Sequence, residues 1–487
     1  MLQGTGSDVG KSLIVAGLCR LFSNRGLRVH PFKPQNMSNN AAVTMDGGEI
    51  GRAQALQAMA AHVAPTRHMN PVLLKPETDL GAQVVVQGHV LTRARARDYY
   101  QLKSSLMTKV LESFHHVQDG ADLVIVEGAG SPAEANLRPA DIANMGFAEA
   151  VDCPVVIVAD IDRGGVLASL VGTHQLLSGS EQDRIKGYII NKFRGDASLF
   201  DSAVEIIRAR TDWPSLGVVP FFPEVGKLPA EDAMSFAGTN LHECIGPEEI
   251  KIIVPRLPRI ANFDDLDPLM AEHSAHVAVI DSGNPLPMDG DVILLPGSKA
   301  TLADLDAVRA EGWDIDILAH HRRGGKVVGI CGGYQMLGNK ISDPDGVEGP
   351  ARSMNGLGLL DVETVLGGDK TLNRTTGTDV RSGHPVEGYE IHMGTTTGPD
   401  CKRPWLMLDG DRDEGARSKN GQVMGCYLHG LFMADDFRSQ FLENPGRTDN
   451  TRINYRQQVE QTLDDWAGHL EKHLDIKAIE KIAFSRN

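Results

Sequence analysis

Apolar residues along this chain fall into two recurring patterns. The first is a set of short runs without polar alternation: Leu123-Val-Ile-Val126, Pro154-Val-Val-Ile-Val-Ala159, Gly187-Tyr-Ile-Ile190, Leu216-Gly-Val-Val219, Lys251-Ile-Ile-Val254, Asp291-Val-Ile-Leu-Leu295 and Lys326-Val-Val-Gly-Ile330. Uniformly apolar, β-branched runs of this length predict strands buried on both faces, which means parallel sheet covered by helices on either side. In the second pattern apolar positions recur at three- and four-residue steps, as in the helical stretch from Ser12 to Phe22 and at Val459, Leu463, Trp466, Leu470 and Leu474 near the far end. That spacing predicts amphipathic helices. The fold class is therefore doubly wound α/β. Between Asp232 and Ile250 the periodicity disappears and Gly, Thr, Asn, Glu and Pro collect, the composition of a linker. The predicted division is a first α/β domain over 1–235, a linker over 236–250, a second α/β domain over 251–440 and a helical tail over 441–487. The tail is expected to pack on the domain that precedes it.

Length supports this division, because 487 residues exceed what a single hydrophobic core usually spans. The formal net charge of −16 argues against nonspecific binding to nucleic acid or anionic membrane. No apolar run approaches the length of a membrane span, and the chain enters a glycine loop at its fourth residue, where a signal peptide would need an apolar stretch. The six cysteines, at 19, 153, 244, 331, 401 and 426, show neither paired spacing nor a metal-ligand motif. A reducing, cytoplasmic compartment is expected.

Chemistry is concentrated in a few stretches. Gly4-Thr5-Gly6-Ser-Asp-Val-Gly10-Lys11-Ser12 opens the first helical pattern and reads as a phosphate-binding loop, with one residue more between Gly4 and Gly10 than the standard spacing. Successive backbone N–H groups and the helix N-terminus cradle phosphate, Lys11 reaches it, and Ser12 can ligate Mg²⁺. Glu127 ends the Leu123–Val126 run, where an acid beside a phosphate loop holds Mg²⁺; a turn-stabilising glutamate is the other reading. Asn191, at the end of another run, is a candidate for reaching the adenine of a bound nucleotide, by its resemblance to related phosphate-loop folds. Lys33-Pro-Gln35-Asn36-Met-Ser-Asn39-Asn40 is too rich in side-chain amides for an ordinary strand or helix. It suits a polar ligand carrying several amide or carboxylate arms, although good turn formers also make capped loops.

In the second half, Lys326-Val-Val-Gly-Ile-Cys331-Gly332-Gly-Tyr predicts a strand that turns abruptly into a helix. Cys331 sits at the tip, where the partial positive charge of the helix end can stabilise an anion and where a nucleophile is exposed. A buried strand-end cysteine is the competing reading. Gly425-Cys-Tyr-Leu-His429-Gly delivers a histidine from a second strand into a glycine turn, and this favours the nucleophile.

With Leu294-Leu-Pro-Gly297-Ser-Lys299 upstream, these stretches resemble the class I glutamine amidotransferase domain. The resemblance implies that Cys331 attacks the side-chain amide of glutamine, that His429 shuttles the proton, and that N–H groups near Gly297 and Gly332 hold the oxyanion. It also shows a departure: the glutamate expected two residues after the histidine is Leu431. This resembles the branch that works with a Cys–His dyad. Glu390 in Gly388-Tyr-Glu-Ile-His-Met-Gly394 is the candidate stand-in.

The phosphate loop is similar to that of the dethiobiotin-synthetase-like branch, in which a lysine at the position of Lys33 contacts the reacting carboxylate. Gln35-Asn-Met-Ser-Asn-Asn40, Glu49-Ile-Gly-Arg-Ala-Gln-Ala55 and Met69-Asn-Pro-Val-Leu-Leu-Lys-Pro76, in that order and followed by the amidotransferase motifs, resemble the cobyric acid synthase family over nearly the whole chain. The resemblance implies ATP- and glutamine-dependent (or ammonia-dependent) amidation of the b, d, e and g carboxylates of (adenosyl)cobyrinic acid a,c-diamide, a corrinoid, with Mg²⁺. Two rival readings stand beside it. One is an a,c-diamide synthase-type amidoligase, against which the amide-rich loop argues. The other is a non-catalytic P-loop switch or partitioning ATPase, which has no use for a cysteine elbow paired with a histidine.

Overall fold

The computed structural model describes residues 1–77, 81–229, 250–443 and 452–484. The chain forms two compact units, Met1–Ser38 with Thr44–Leu228 and Val459–Asn487, and Asn39–Val43 with Pro229–Gln458. Residues 236–249 of the expected linker, and Cys244 with them, lie outside the described residues.

The first unit contains β1 (Leu2–Gly4), α1 (Lys11–Asn24), β2 (Val29–Phe32), β3 (Gln35–Met37), β4 (Val72–Pro76), β5 (Leu123–Val126), β6 (Val155–Asp160), β7 (Ile185–Phe193) and β8 (Ser215–Pro220). β1, β6, β7 and β8 run parallel in that order, and β2 pairs in parallel with β5. A parallel bridge from Leu2 to Glu127 and a hydrogen bond from Gly128 N to Leu2 O join the two groups. The resulting order is β2-β5-β1-β6-β7-β8. β1 thus lies between β5 and β6, and the crevice beyond its carboxyl end is where an open parallel sheet binds ligands. β6 is buried along its whole length, as its uninterrupted apolar run predicts.

Two expectations are corrected here. The Lys33–Asn40 run contains a strand after all: β3 pairs in parallel with β4, Gln35 opposite Val72 through Met37 opposite Leu74. The ladder uses only backbone groups, so the polar side chains are free to bond elsewhere, and their chemistry gave no warning of the strand. The tail, too, packs on a different partner from the one expected. Its helix Tyr455–His473 lies, from Val459 onward, in the first unit and rests on α1. Trp466 Nε1 donates to Leu13 O at 2.7 Å, and buried Arg20 pairs with Glu460. A Cβ on Gly17 would lie 2.5 Å from Leu470 Cδ1 and 2.7 Å from Trp466 Cδ1, so only glycine permits this approach. The three- and four-residue spacing identified the buried face but carried no information on what covers it.

The second unit contains β9 (Ile250–Pro255), β10 (Ala275–Ile280), β11 (Val292–Leu295), β12 (Lys326–Ile330), α2 (Gly332–Leu337), β13 (Pro385–His392), β14 (Val423–Cys426) and β15 (Leu428–His429). The order β10-β9-β11-β12-β14 is parallel throughout, with the short strand Ala416–Arg417 antiparallel at its edge. β13 and β15 belong to a separate antiparallel sheet, with Tyr389 opposite His429.

Because α1 carries the phosphate loop at its start, the tail helix supports the nucleotide end of the first unit. Trp466→Ala is expected to cost about 3–5 kcal/mol, the usual range for emptying a buried aromatic site. Urea unfolding followed by circular dichroism should show an earlier first transition.

Candidate active site

β12 and β14 run side by side from Val327 opposite Val423 to Ile330 opposite Cys426. Cys331 follows β12 directly, and its N–H donates to Cys426 O at 2.8 Å. Its backbone, at φ 50° and ψ −109°, is a conformation that non-glycine residues avoid, and strain of this kind clusters at functional sites. The elbow predicted from the glycines is therefore present. The Cys331 thiol points toward Ile391 O, 3.7 Å away.

His429 lies three residues beyond the end of β14 and is completely buried. Its Nδ1 is 2.8 Å from Asp265 Oδ2, and the next backbone N–H, Gly430, donates to Asp265 Oδ1 at 2.6 Å. Tyr389 stacks on the imidazole, with centroids 5.3 Å apart and planes 15° from parallel. The tyrosine hydroxyl donates to Asp264 at 3.0 Å. His429 Nε2 is buried without a hydrogen-bond partner. Burial pushes this imidazole down, but the Asp265 carboxylate and then Cys331 push it up, and the balance raises it to about 9. The site thus favours a charged imidazolium next to the sulfur.

Asp265 was not foreseen. It lies in the short turn Phe263–Asp265, far upstream of both Cys331 and His429. The available signal was two adjacent acids within the apolar run Ile260-Ala-Asn-Phe263…Leu266, where both acids prove to be buried. Glu390, the stand-in considered from sequence, has another partner: it takes a two-armed ion pair from Arg412, at 3.1 and 2.6 Å. Leu431, at the place of the usual glutamate, is fully buried in the apolar core of the second unit.

Gly297 lies beside the histidine. A Cβ there would stand 2.5 Å from Ala261 O and 2.9 Å from His429 Cε1, so a side chain would displace the ring. Ser298 donates to Asp304 at 2.6 Å and Arg259 N donates to the same carboxyl group, which fixes this turn; burial pushes Asp304 up to about 7. Gly332 is the first residue of α2, and the opening N–H groups of a helix have no partner within it. Both oxyanion candidates therefore lie close to the cysteine and histidine. His392 also faces the site. It stacks on Tyr427 at 3.8 Å and its Nδ1 is buried without a partner. Burial, then the charges of His429 and Arg412, push it down to about 4, so it is neutral where His429 is charged.

In the first unit the loop from Gly4 to Ser12 connects β1 to α1. Thr5 N donates to Val158 O at 3.0 Å, which ties the loop to β6, and Gly10 has φ 95°. Lys11 Nζ folds back over the loop onto Gly6 O at 2.8 Å and Gly130 O at 3.2 Å. Glu127 is fully buried. It accepts from Ser12 Oγ at 2.8 Å, Lys33 Nζ at 2.7 Å, Gln57 Nε2 at 2.6 Å and Gln54 Nε2 at 3.3 Å. The structure thus brings Lys33, Ser12 and Glu127 together. Gln54 and Gln57, both from Glu49-Ile-Gly-Arg-Ala-Gln-Ala-Leu-Gln57, are additions to that group.

Other candidates are engaged differently. Asn191 is buried and donates to Val9 O at 2.9 Å, so its amide braces the phosphate loop from behind. Gln35 accepts from Tyr99 at 2.7 Å and Asn36 donates to Gln54 at 2.9 Å. Asn40 accepts from Phe263 N at 3.3 Å, while Asn39 Oδ1 is buried without a partner. Among the described residues no group of three or more His, Cys, Asp or Glu side chains is placed to hold a metal.

Comparison with known proteins matches two stretches of the chain to protein families. Residues 1–236 match the CobQ/CobB/MinD/ParA nucleotide binding domain, and residues 251–437 match the CobB/CobQ-like glutamine amidotransferase domain. Among curated relatives, the cobyric acid synthase of Ruegeria sp. (strain TM1040) is 56% identical over 483 residues, covering 99% of this chain and 98% of that protein. The cobyric acid synthase of Bradyrhizobium diazoefficiens is 56% identical over 99% of both chains, and that of Methylorubrum populi 57% identical over 98% of both.

Because Asp265 already occupies His429 Nδ1 and Leu431 belongs to the core, Leu431→Glu is expected to bring no tenfold gain in glutamine hydrolysis. It should instead destabilise the second unit by about 3 kcal/mol or more, the cost of a buried charge without a partner. A glutaminase assay alongside thermal denaturation checks both.

Proposed function

The chain belongs to the cobyric acid synthase family, and from that membership we propose that it amidates the b, d, e and g side-chain carboxylates of (adenosyl)cobyrinic acid a,c-diamide, using ATP and glutamine, to give cobyric acid. The observation that carries this reading is the presence in one chain of a Cys331–His429 centre and a phosphate loop with Lys33 and Glu127 beside it, at high identity to relatives of that name over almost their full length.

In the second unit, Cys331 passes its thiol proton to His429 and the sulfur attacks the side-chain carbonyl carbon of glutamine. The carbonyl oxygen gains the negative charge, and the N–H groups near Gly297 and Gly332 receive it. His429, charged, gives its proton to the departing nitrogen as the C–N bond breaks. Ammonia leaves and a thioester remains; water, deprotonated by the now neutral His429, hydrolyses the thioester to glutamate.

In the first unit the difficulty is the leaving group, since ammonia cannot expel oxide from a carboxylate. A substrate carboxylate oxygen attacks the γ-phosphorus of ATP, the bond to ADP breaks, and an acyl phosphate forms. Ammonia then attacks the acyl carbon and inorganic phosphate departs with the former carboxylate oxygen. Lys11 neutralises charge on the transferring phosphoryl group, and Lys33 holds the reacting carboxylate. Ser12 and Glu127 supply adjacent oxygen donors, which fit Mg²⁺, an ion that takes one or two protein ligands and fills the rest of its shell with water and phosphate. When bound there, Mg²⁺ supplies further neutralisation of phosphate charge. Among the described residues, Cys19, Cys153, Cys331, Cys401 and Cys426 are all free, and this supports a reducing, cytoplasmic setting. No helix of the described residues is long and apolar enough to cross a membrane.

Two outcomes test this reading. Cys331→Ala should abolish glutamine-driven amidation while amidation from added ammonium salt at high pH persists; a variant equally inactive with both nitrogen sources would count against the nucleophile. With ¹⁸O in the substrate carboxylates, one labelled oxygen should appear in phosphate for each amide formed, and Lys11→Ala should abolish that transfer with either nitrogen source. Label retained wholly in the corrinoid, or ATP cleaved to AMP and pyrophosphate, would overturn the acyl-phosphate step.

A further inference from the structure

We propose that Asp265 is the positioning carboxylate of the glutaminase centre, replacing from an upstream turn the acid that the sequence lacks two residues after His429. The proposal rests on the reading of Cys331 and His429 given above. Its basis is geometric. One Asp265 oxygen meets His429 Nδ1 at 2.8 Å, and the other accepts from Gly430 N at 2.6 Å. A carboxylate bound at both oxygens to consecutive residues fixes the backbone and the ring of the histidine together. With Nδ1 committed to Asp265, Nε2 becomes the atom that exchanges a proton with Cys331 and the substrate.

The adjacent acid completes the arrangement. Asp264 accepts from the Tyr389 hydroxyl at 3.0 Å, and Tyr389 stacks on the imidazole. Consecutive aspartates therefore fix the ring in its plane and cover its face. The turn that carries them is itself pinned within the second unit: Ala41 N donates to Asn262 Oδ1 at 3.0 Å, and Phe263 N donates to Asn40 Oδ1 at 3.3 Å.

A purely structural role for Asp265 makes a different prediction from a positioning role. The titratable groups facing His429 are Cys331, Asp265, Tyr389 and His392. Asp265 is the carboxylate that raises His429, against burial that lowers it. In Asp265→Asn the upward push is gone, so the imidazolium loses its proton at lower pH and the alkaline limb of glutaminase activity moves down.

The experiment compares wild type, Asp265→Asn, Asp265→Glu and Cys331→Ala in glutamine hydrolysis across pH, with thermal denaturation of each. The expected result for Asp265→Asn is a fall in kcat of at least about 100-fold, a glutamine KM within threefold of wild type, and an alkaline limb displaced to lower pH by a unit or more. Asp265→Glu should recover at least tenfold of that loss. A kcat within threefold of wild type in Asp265→Asn, or a loss shared equally by both Asp265 variants with the limb unmoved, would overturn the proposal. If Asp265→Asn does not fold, Asp265→Ser takes its place under the same criteria: a fall in kcat of at least about 100-fold with the limb displaced supports the role, and a kcat within threefold of wild type overturns it. Glutamine hydrolysis that survives in Cys331→Ala would overturn the underlying glutaminase reading, a result distinct from any of the Asp265 outcomes.

Discussion

The pairing of β12 with β14 is the constraint on which the glutaminase centre depends. Two parallel strands in register, Val327 to Ile330 against Val423 to Cys426, end at the same edge of the sheet, and the chain leaves each in a different way. After β12 it turns sharply at Cys331 into α2. After β14 it continues through Tyr427 into β15, which joins β13 in a second sheet. The nucleophile and the histidine are some hundred positions apart in the sequence, yet the chain reaches each within three residues of the paired ends of β12 and β14. A slip of one residue would reverse every side chain on a strand, so the apolar runs that set the register also set the catalytic geometry.

The first unit uses the same device with different chemistry. β1 lies between β5 and β6, and the loop that leaves it meets Glu127 at the end of β5. In each unit the sheet supplies adjacent carboxyl ends of strands, and the functional groups occupy the turns beyond them. This is why the binding loop and the cysteine elbow were both recognisable: each is a local departure from a regular strand-to-helix step, made by residues that tolerate unusual backbone, and each is contained in a few consecutive positions.

What was hidden in the sequence shares one property, dependence on contact between distant segments. The apolar spacing of the tail named Val459, Leu463, Trp466 and Leu470 correctly as a buried face, but periodicity cannot name a partner, and α1 rather than the second unit proved to be that partner. The amide-rich run was read by its side chains, whereas β3 is built from its backbone. The strand-end position of Asn191 likewise gives no sign that its amide donates to Val9 O in the phosphate loop. Asp265 is the clearest case. The expected acid follows the histidine in sequence, and nothing local marks a substitute from a turn far upstream. Only the burial of two neighbouring aspartates among apolar residues hinted that those charges had to be matched inside the fold.

The two buried acids show how differently the units treat charge. Glu127 is surrounded by donors, and its ion-pair partner is Lys33 at 2.7 Å. A lysine on a flexible stem, together with the neutral donors Ser12, Gln54 and Gln57, surrounds this carboxylate with one permanent cation and three neutral hydrogen-bond donors. Asp265 has instead an imidazole, whose positive charge appears and disappears with a proton. That difference follows from the chemistry each unit performs. Transfer of a phosphoryl group needs steady neutralisation of charge while bonds to oxygen change, and a permanent cation suits it. Release of ammonia from glutamine needs a proton delivered and then recovered in each turnover, which a permanent cation cannot do. A carboxylate at fixed distance from the ring raises the protonated form enough to have the proton available without making its release impossible, and it can do so only where water is excluded and the distance cannot drift. The burial of His429 and the two-point hold of Asp265 on His429 and Gly430 supply both conditions.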